Sequence, residues 1–207
     1  MTVIWAKVIK WRRTLFADDL ITQWNITYSA TTHYRMKIRE LPRAPRTILV
    51  ASSWTCRESD LISNLLDKSI FETLNWSNTY TSLQLLDIIQ ESIVSWVKTL
   101  KEVSEDNPEF SLLILDTYTN TVFFVEEFSV KILNDKAECV CWCWQRLFYK
   151  LYERYSNLEP DERFRKAIID TAVLDEWCWV PVFETNWLDY YVYDEDWNVT
   201  AQKHIEE

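Results

Sequence analysis

The sequence predicts an α+β fold, a four-layer αββα sandwich in which two antiparallel sheets pack face to face and a helix pair covers each outer side. Three observations predict it. The elements run in blocks, strands, two helices, strands, two helices, strands, which is not the alternation of a doubly wound sheet. Hydrophobic spacing changes between a strand-like period near two and a helical period of about 3.6 at the block borders. A chain of 207 residues with 48% apolar content can bury a full core within one domain spanning 1–207.

Each element has a local reason. Residues 2–10 and 12–18 form an opening hairpin around Trp11, with Val3, Ile4, Ala6 and Val8 answered by Leu15, Phe16 and Ala17. Tyr34–Leu41 and Thr47–Ser52 pair across Pro42-Arg43-Ala44-Pro45, a loop neither strand can absorb. After Ser53-Trp54-Thr55 the period turns helical, with Leu61, Ile62, Leu65 and Leu66. A longer helix follows, capped by Thr81 or Ser82 and striped by Leu86, Ile89, Ile93, Val97 and Leu100. Strands return at Leu112–Leu115, Val122–Val125, Val130–Leu133 and Cys139–Cys141, with Asn120 and Asn134-Asp135 in turns. Gln145–Tyr155 and Pro160–Leu174 are the second helix pair, the latter opened by Pro160, Asp161 and Glu162 in a dipole-favoured first turn. Val180–Phe183 and Asp189–Tyr193 close the chain as strands.

A formal charge of −10 disfavours nucleic acid and anionic lipid as partners. No apolar run reaches signal-peptide or membrane-spanning length, so the expectation is a soluble, cytoplasmic protein. Five cysteines and two histidines do not make the paired spacing of a zinc site, and no metal or cofactor is expected. Cys139, Cys141 and Cys143 alternate, as buried thiols on one strand face would.

The composition carries one anomaly: no glycine and 12 tryptophans, where average usage gives about 7% glycine. Asn75-Trp76, Asn186-Trp187 and Asp196-Trp197-Asn198 sit where Asn-Gly or Asp-Gly would supply the positive φ of a tight turn. Tryptophan therefore reads as standing in glycine's place, with positive φ at 76, 187 and 197 as the test. The other reading, a sugar-binding module with a tryptophan platform, needs rings at same-face spacing on strands.

With glycine read for tryptophan, Met1-Thr2-Val3-Ile4-Trp5-Ala6-Lys7, then Ala17-Asp18 and Thr22-Gln23-Trp24-Asn25, resembles the start of proteasome β-subunits and bacterial proteasome-like peptidases. Met36-Lys37-Ile38 resembles the strand carrying the family's lysine. Ile48 to Thr55 resembles the strand that ends at its oxyanion glycine. Val140-Cys141-Trp142-Cys143-Trp144 resembles its Gly-Ser-Gly segment, and Asp175-Glu176-Trp177-Cys178-Trp179 its Asp-x-x-Ser-Gly. The five segments come in the family's order and cover nearly the whole chain.

The resemblance implies the N-terminal-nucleophile (Ntn) hydrolase fold and a threonine-type peptidase acting on peptides or unfolded proteins inside a homo-oligomeric ring. An ATP-dependent unfoldase is a further implied partner. Thr2, freed by removal of Met1, would be the nucleophile. Its α-amine, a group that ordinarily titrates near about pH 8, would serve as base. An alignment on Trp5 puts Met1 at that position instead. Lys37 would favour loss of the hydroxyl proton, Asp18 would orient Lys37, and Asp175 with Cys143 would support the amine. Cys143 and Cys178 stand where the family has serine. Thr22 would bind substrate as an added strand, and the Trp54 N–H would form the oxyanion hole. An inactive structural or regulatory ring subunit is the alternative. Singly, each residue also has an ordinary reading: Thr2 a chain end, Asp18 a turn residue, Lys37 a surface cation, Asp175 a helix-end polar group. Serine-hydrolase chemistry lacks its nucleophile elbow, and there is no phosphate loop or dinucleotide fingerprint.

Overall fold

The structure, a computed structural model, describes residues 4–9, 12–18, 20–23, 26–29, 37–53, 56–74, 79–103, 111–126, 129–134, 138–141, 145–175, 178, 180–186 and 189–204. Its order is β1 (Ile4–Ile9), β2 (Arg12–Ala17), β3 (Leu20–Gln23), β4 (Ile26–Ser29), β5 (Ile38–Glu40), β6 (Ile48–Ser52), α1 (Cys56–Leu74) and α2 (Ser82–Val103). Then come β7 (Ser111–Asp116), β8 (Thr121–Glu126), β9 (Ser129–Ile132), β10 (Glu138–Cys141), α3 (Gln145–Arg154), α4 (Pro160–Leu174), β11 (Val182–Thr185), β12 (Asp189–Tyr193) and β13 (Val199–His204). The first sheet has six strands in the order β10-β1-β2-β11-β12-β13, and the second five, β5-β6-β7-β8-β9. All pairings in both are antiparallel. The expected αββα sandwich is the observed architecture.

Strand alternation sorts side chains between layers. In β1 and β2, Ile4, Ala6, Val8, Leu15 and Ala17 point inward and meet Ile38, Leu49, Ala51, Leu113, Leu115 and Val122 of the second sheet. Trp5 and Phe16 point the other way, onto Phe148, Leu151, Phe164 and Ile168 of the α3–α4 pair. The second sheet repeats the division, sending Ile48, Val50, Leu112, Ile114, Phe123 and Val125 toward α1 and α2.

The helices form as their sequence predicts, with one shift. On α1, Ile62, Leu66 and Ile70 are buried at every fourth position. On α2 the buried stripe is centred on Leu85, Ile89, Ile93 and Val97, joined by Ile88 and Trp96, while Leu86 lies at its margin. Thr81 caps α2 reciprocally: Gln84 N donates to Thr81 Oγ1 at 3.2 Å and Thr81 N to Gln84 Oε1 at 2.8 Å.

Three strands go beyond the sequence reading. The β3–β4 hairpin joins Leu20–Gln23 to Ile26–Ser29, and β13 adds an outer strand through Tyr190↔Lys203 and Val192↔Ala201. Val199 to Gln202 are exposed, so this part of β13 has no buried face to impose an apolar alternation. β11 begins at Val182, after Pro181, which has no N–H to give to a ladder. Among the described residues, no helix is long and apolar enough to cross a membrane.

Of the three tryptophan turns singled out, Trp197 is described and takes φ 66°; 76 and 187 lie outside the described residues. Its ring is not idle. Nε1 donates to Asp170 Oδ1 at 2.9 Å, and Lys166 Nζ sits 4.1 Å from the ring centroid. Trp5 and Trp96 occupy a strand and a helix interior, both buried, in contrast to the turn positions that the pattern emphasised.

Candidate active site

One end of the first sheet gathers several chain segments. Ile4, the first residue of β1, pairs with Ala17 at the end of β2 and with Cys141 at the end of β10. Phe183, near the start of β11, pairs with Ala17 from the other side. The start of β1, the ends of β2 and β10 and the start of β11 therefore share an edge. Asp18 is the next residue after β2.

The second sheet contributes from across the sandwich. Lys37 precedes β5 and accepts, through its carbonyl, the Ser52 N–H at 3.1 Å, which continues the β5–β6 ladder by one position. Ser53 follows at the end of β6 and donates both its N–H, at 3.1 Å, and its hydroxyl, at 3.2 Å, to Ser111 O. These bonds fix the backbone on either side of Lys37's partner strand.

Lys37 Nζ lies 2.5 Å from Asp18 Oδ1. The side chains are 6% and 0% exposed, so the two charges meet in a low-dielectric setting. Such a pair adds little net stability, since desolvation consumes most of the Coulomb gain, yet removing one partner leaves a buried charge uncompensated. The arrangement delivers a fixed, dry ammonium to the shared edge of the first sheet.

Asp175 is buried at the end of α4, its N–H bonded to Thr171 O at 3.1 Å, and Cys178 N returns to Asp175 O at 3.2 Å. Cys178 packs into the aromatic cluster under α3 and α4. Thr22 lies on β3, opposite Thr27. Thr2, Cys143 and Trp54 fall outside the described residues. The structure thus brings Asp18 and Lys37 into contact and carries Asp175 and Cys178 on the segment that leads to β11.

The sequence reading missed a second charged cluster. Glu184 of β11 is buried, takes Arg165 Nε at 2.8 Å and Nη2 at 3.2 Å, accepts the Tyr193 hydroxyl at 2.8 Å, and has Arg12 Nη2 3.7 Å away. Its signal was a carboxylate inside the apolar run Val182-Phe183-Glu184-Thr185. Lys7, a cation within β1, is the same kind of signal. It is buried, 2.5 Å from Pro160 O and 3.0 Å from Asp161 Oδ1.

Two antiparallel sheets between helix pairs are the proteasome-β-like Ntn-hydrolase fold, as the solved structures similar to the chain show. No protein-family model and no curated protein matches the chain. Solved structures do. Anbu, the ancestral beta-subunit, from Yersinia bercovieri superposes with TM-score 0.65 at 13% identity over 99% of this chain and 87% of that one. Eukaryotic HslV from Trypanosoma brucei gives 0.64 at 13% identity over 88% and 97%. BPH from Thiobacillus denitrificans gives 0.62 at 15% identity over 88% and 96%.

Proposed function

We propose that the chain is a threonine-type Ntn peptidase that cleaves peptide bonds of peptides or unfolded proteins, with Thr2 as nucleophile once Met1 is removed. The observation that carries this reading is the buried Asp18–Lys37 contact at the edge where β1 begins. Thr2 is two residue steps from Ile4 along the chain, about 7 Å at full extension.

The α-amine of Thr2 takes the hydroxyl proton as the oxygen attacks the substrate carbonyl carbon. The Lys37 ammonium lowers the energy of the alkoxide that develops, and Asp18 holds that ammonium in place. The Trp54 N–H donates a hydrogen bond to the oxyanion. The tetrahedral intermediate collapses, the leaving amine takes the proton from the α-ammonium, and water then hydrolyses the acyl ester. Asp175 and Cys143 support the amine, Cys178 fills a serine position, and Thr22 pairs with substrate backbone.

The reading extends to work in a homo-oligomeric ring, which the likeness in fold to Anbu and HslV supports; a cytoplasmic setting and an ATP-dependent unfoldase belong to the same proposal. The same chain acting as an inactive ring subunit is the outcome if the nucleophile is never freed. Intact-mass analysis decides between them. Loss of Met1 and covalent labelling of Thr2 by epoxomicin, found bound to Thiobacillus denitrificans BPH, are expected, with labelling abolished in Thr2→Ala. Retained Met1, no adduct and no peptide hydrolysis would overturn the peptidase reading. The stand-in of tryptophan for glycine has its support at Trp197, where φ is 66°; the mass of the natural protein tests it directly.

A further inference from the structure

We propose that the surface cavity between α4 and the β12–β13 hairpin binds a small carboxylate-bearing ligand with an aromatic or apolar body. The cavity, of about 660 Å³, lies on the outer side of the first sheet. Arg12 opens β2, five positions from Ala17. Tyr193, at the cavity's other end, pairs with Val182 next to the Phe183–Ala17 pair, so the cavity extends to the Asp18 end of the sheet, two strands away from β2, and none of its residues takes part in the peptidase reading. Its volume suits one small molecule.

The charge at its base is unbalanced. Arg12 and Arg165 both line the cavity and both address the buried Glu184 carboxylate. Glu184 answers both Arg12 and Arg165 at the base, Glu162 answers Lys166 at the rim, and Asp196 also lines the cavity, so the excess of positive charge is local to the base. Arg165 makes the tight paired contact, whereas Arg12 stands at 3.7 Å and is 35% exposed, with its planar fork suited to a second carboxylate. Burial alone would lower the guanidinium pKa of Arg165, but hydrogen bonds to Glu184 and its charge outweigh that and hold it raised.

The walls set the rest of the chemistry. Tyr191, Tyr193 and Trp197 with Ile169 and Val199 give an aromatic and aliphatic surround. Lys166 at the rim is engaged with Glu162 at 3.4 Å and with the Trp197 ring. Asp196 adds a rim carboxylate that disfavours dianions such as phosphate. A monoanion on a flat apolar body answers both base and walls.

N-acetylphenylalanine and its amide are the probes, titrated calorimetrically into the full-length protein. The acid is expected to saturate the site and the amide to bind at least about tenfold more weakly. Arg12→Ala leaves Glu184 its Arg165 partner and is expected to weaken the acid about tenfold with an unchanged melting temperature. Tyr191→Ala, which does not touch Glu184, weakens the acid as well and serves if Arg12→Ala fails to fold. Equal binding of acid and amide, no saturation at concentrations on the order of 10 mM, or wild-type affinity in both variants would overturn the proposal.

Discussion

The two faces of the first sheet are built from different materials. The inner face of β1 and β2 presents Ile4, Ala6, Val8, Leu15 and Ala17, whereas the outer face of the same strands presents Trp5, Lys7 and Phe16 and, from β11, Glu184. Two sheets packed face to face sit about 10 Å apart, so alternate inner positions stay small. Helices crossing a sheet leave room for rings, and Phe148 and Phe164 meet edge to face with centroids 5.2 Å apart. Charge follows the same division. The inner layer has the Asp18–Lys37 pair at its rim, and the outer layer is laced with Lys7, Arg165 and Glu184. The lesson is that the dry layer holds its charges where several chain segments converge, while the aromatic layer uses charge as a structural tie and, at its margin, as a binding surface.

The strongest way to break this contrast is at the inner pair. Lys37→Met should cost about 3–5 kcal/mol in urea unfolding, because Asp18 is left buried and uncompensated. Adding Asp18→Leu should restore most of that loss, since a buried pair is replaceable by apolar packing, yet peptide hydrolysis should stay absent. A double variant as unstable as the single one would make the pair a structural tie like those outside. The outer face is probed by Trp5. Trp5→Ala should cost about 3–5 kcal/mol by opening a cavity. Trp5→Phe should be close to neutral, because the buried indole N–H has no hydrogen-bond partner among the described residues, and removing it offsets the lost ring area. The inner face should show the opposite sensitivity. Ala6→Leu adds volume between the sheets and should cost about 1–3 kcal/mol, seen as a lower urea midpoint with an unchanged slope.

How much of this was legible follows the same physics. The αββα order, α1, α2 and α4, and the β7–β8 hairpin were readable because each has a buried face that forces a period on the sequence. β3, β4 and β13 were not, since Thr22, Gln23, Thr200 and Gln202 carry no apolar alternation. At the site, Asp18 and Lys37 were legible only through the order of segments resembling proteasome β-subunits. Nineteen positions apart, they have no local spacing that announces a contact. The Glu184 cluster was missed because partners at 12, 165 and 193 meet only after β2, β11 and β12 align and α4 covers them.

The smallest effects lie at Trp197, where the outer layer ends in a turn. Asp170 takes hydrogen bonds from the Trp197 indole and the Tyr155 hydroxyl. Burial first, then the bond to Asp170 and its charge, push the Tyr155 hydroxyl up to about 12. A raised acid favours its neutral form in the folded state, so this contribution is intact below pH 10 and is lost as pH rises through about 12; alkaline unfolding monitored across that window checks it. Trp197→Ala removes the ring and leaves the Cβ at φ 66°, and should cost about 2 kcal/mol. Trp197→Gly also removes the ring but relieves the left-handed backbone, a gain of about 1 kcal/mol. The glycine variant should therefore be the more stable of the two by about that amount in paired denaturant curves. If glycine and alanine cost the same, residue 197 is not held at positive φ, and the turn gives no reason to read glycine there.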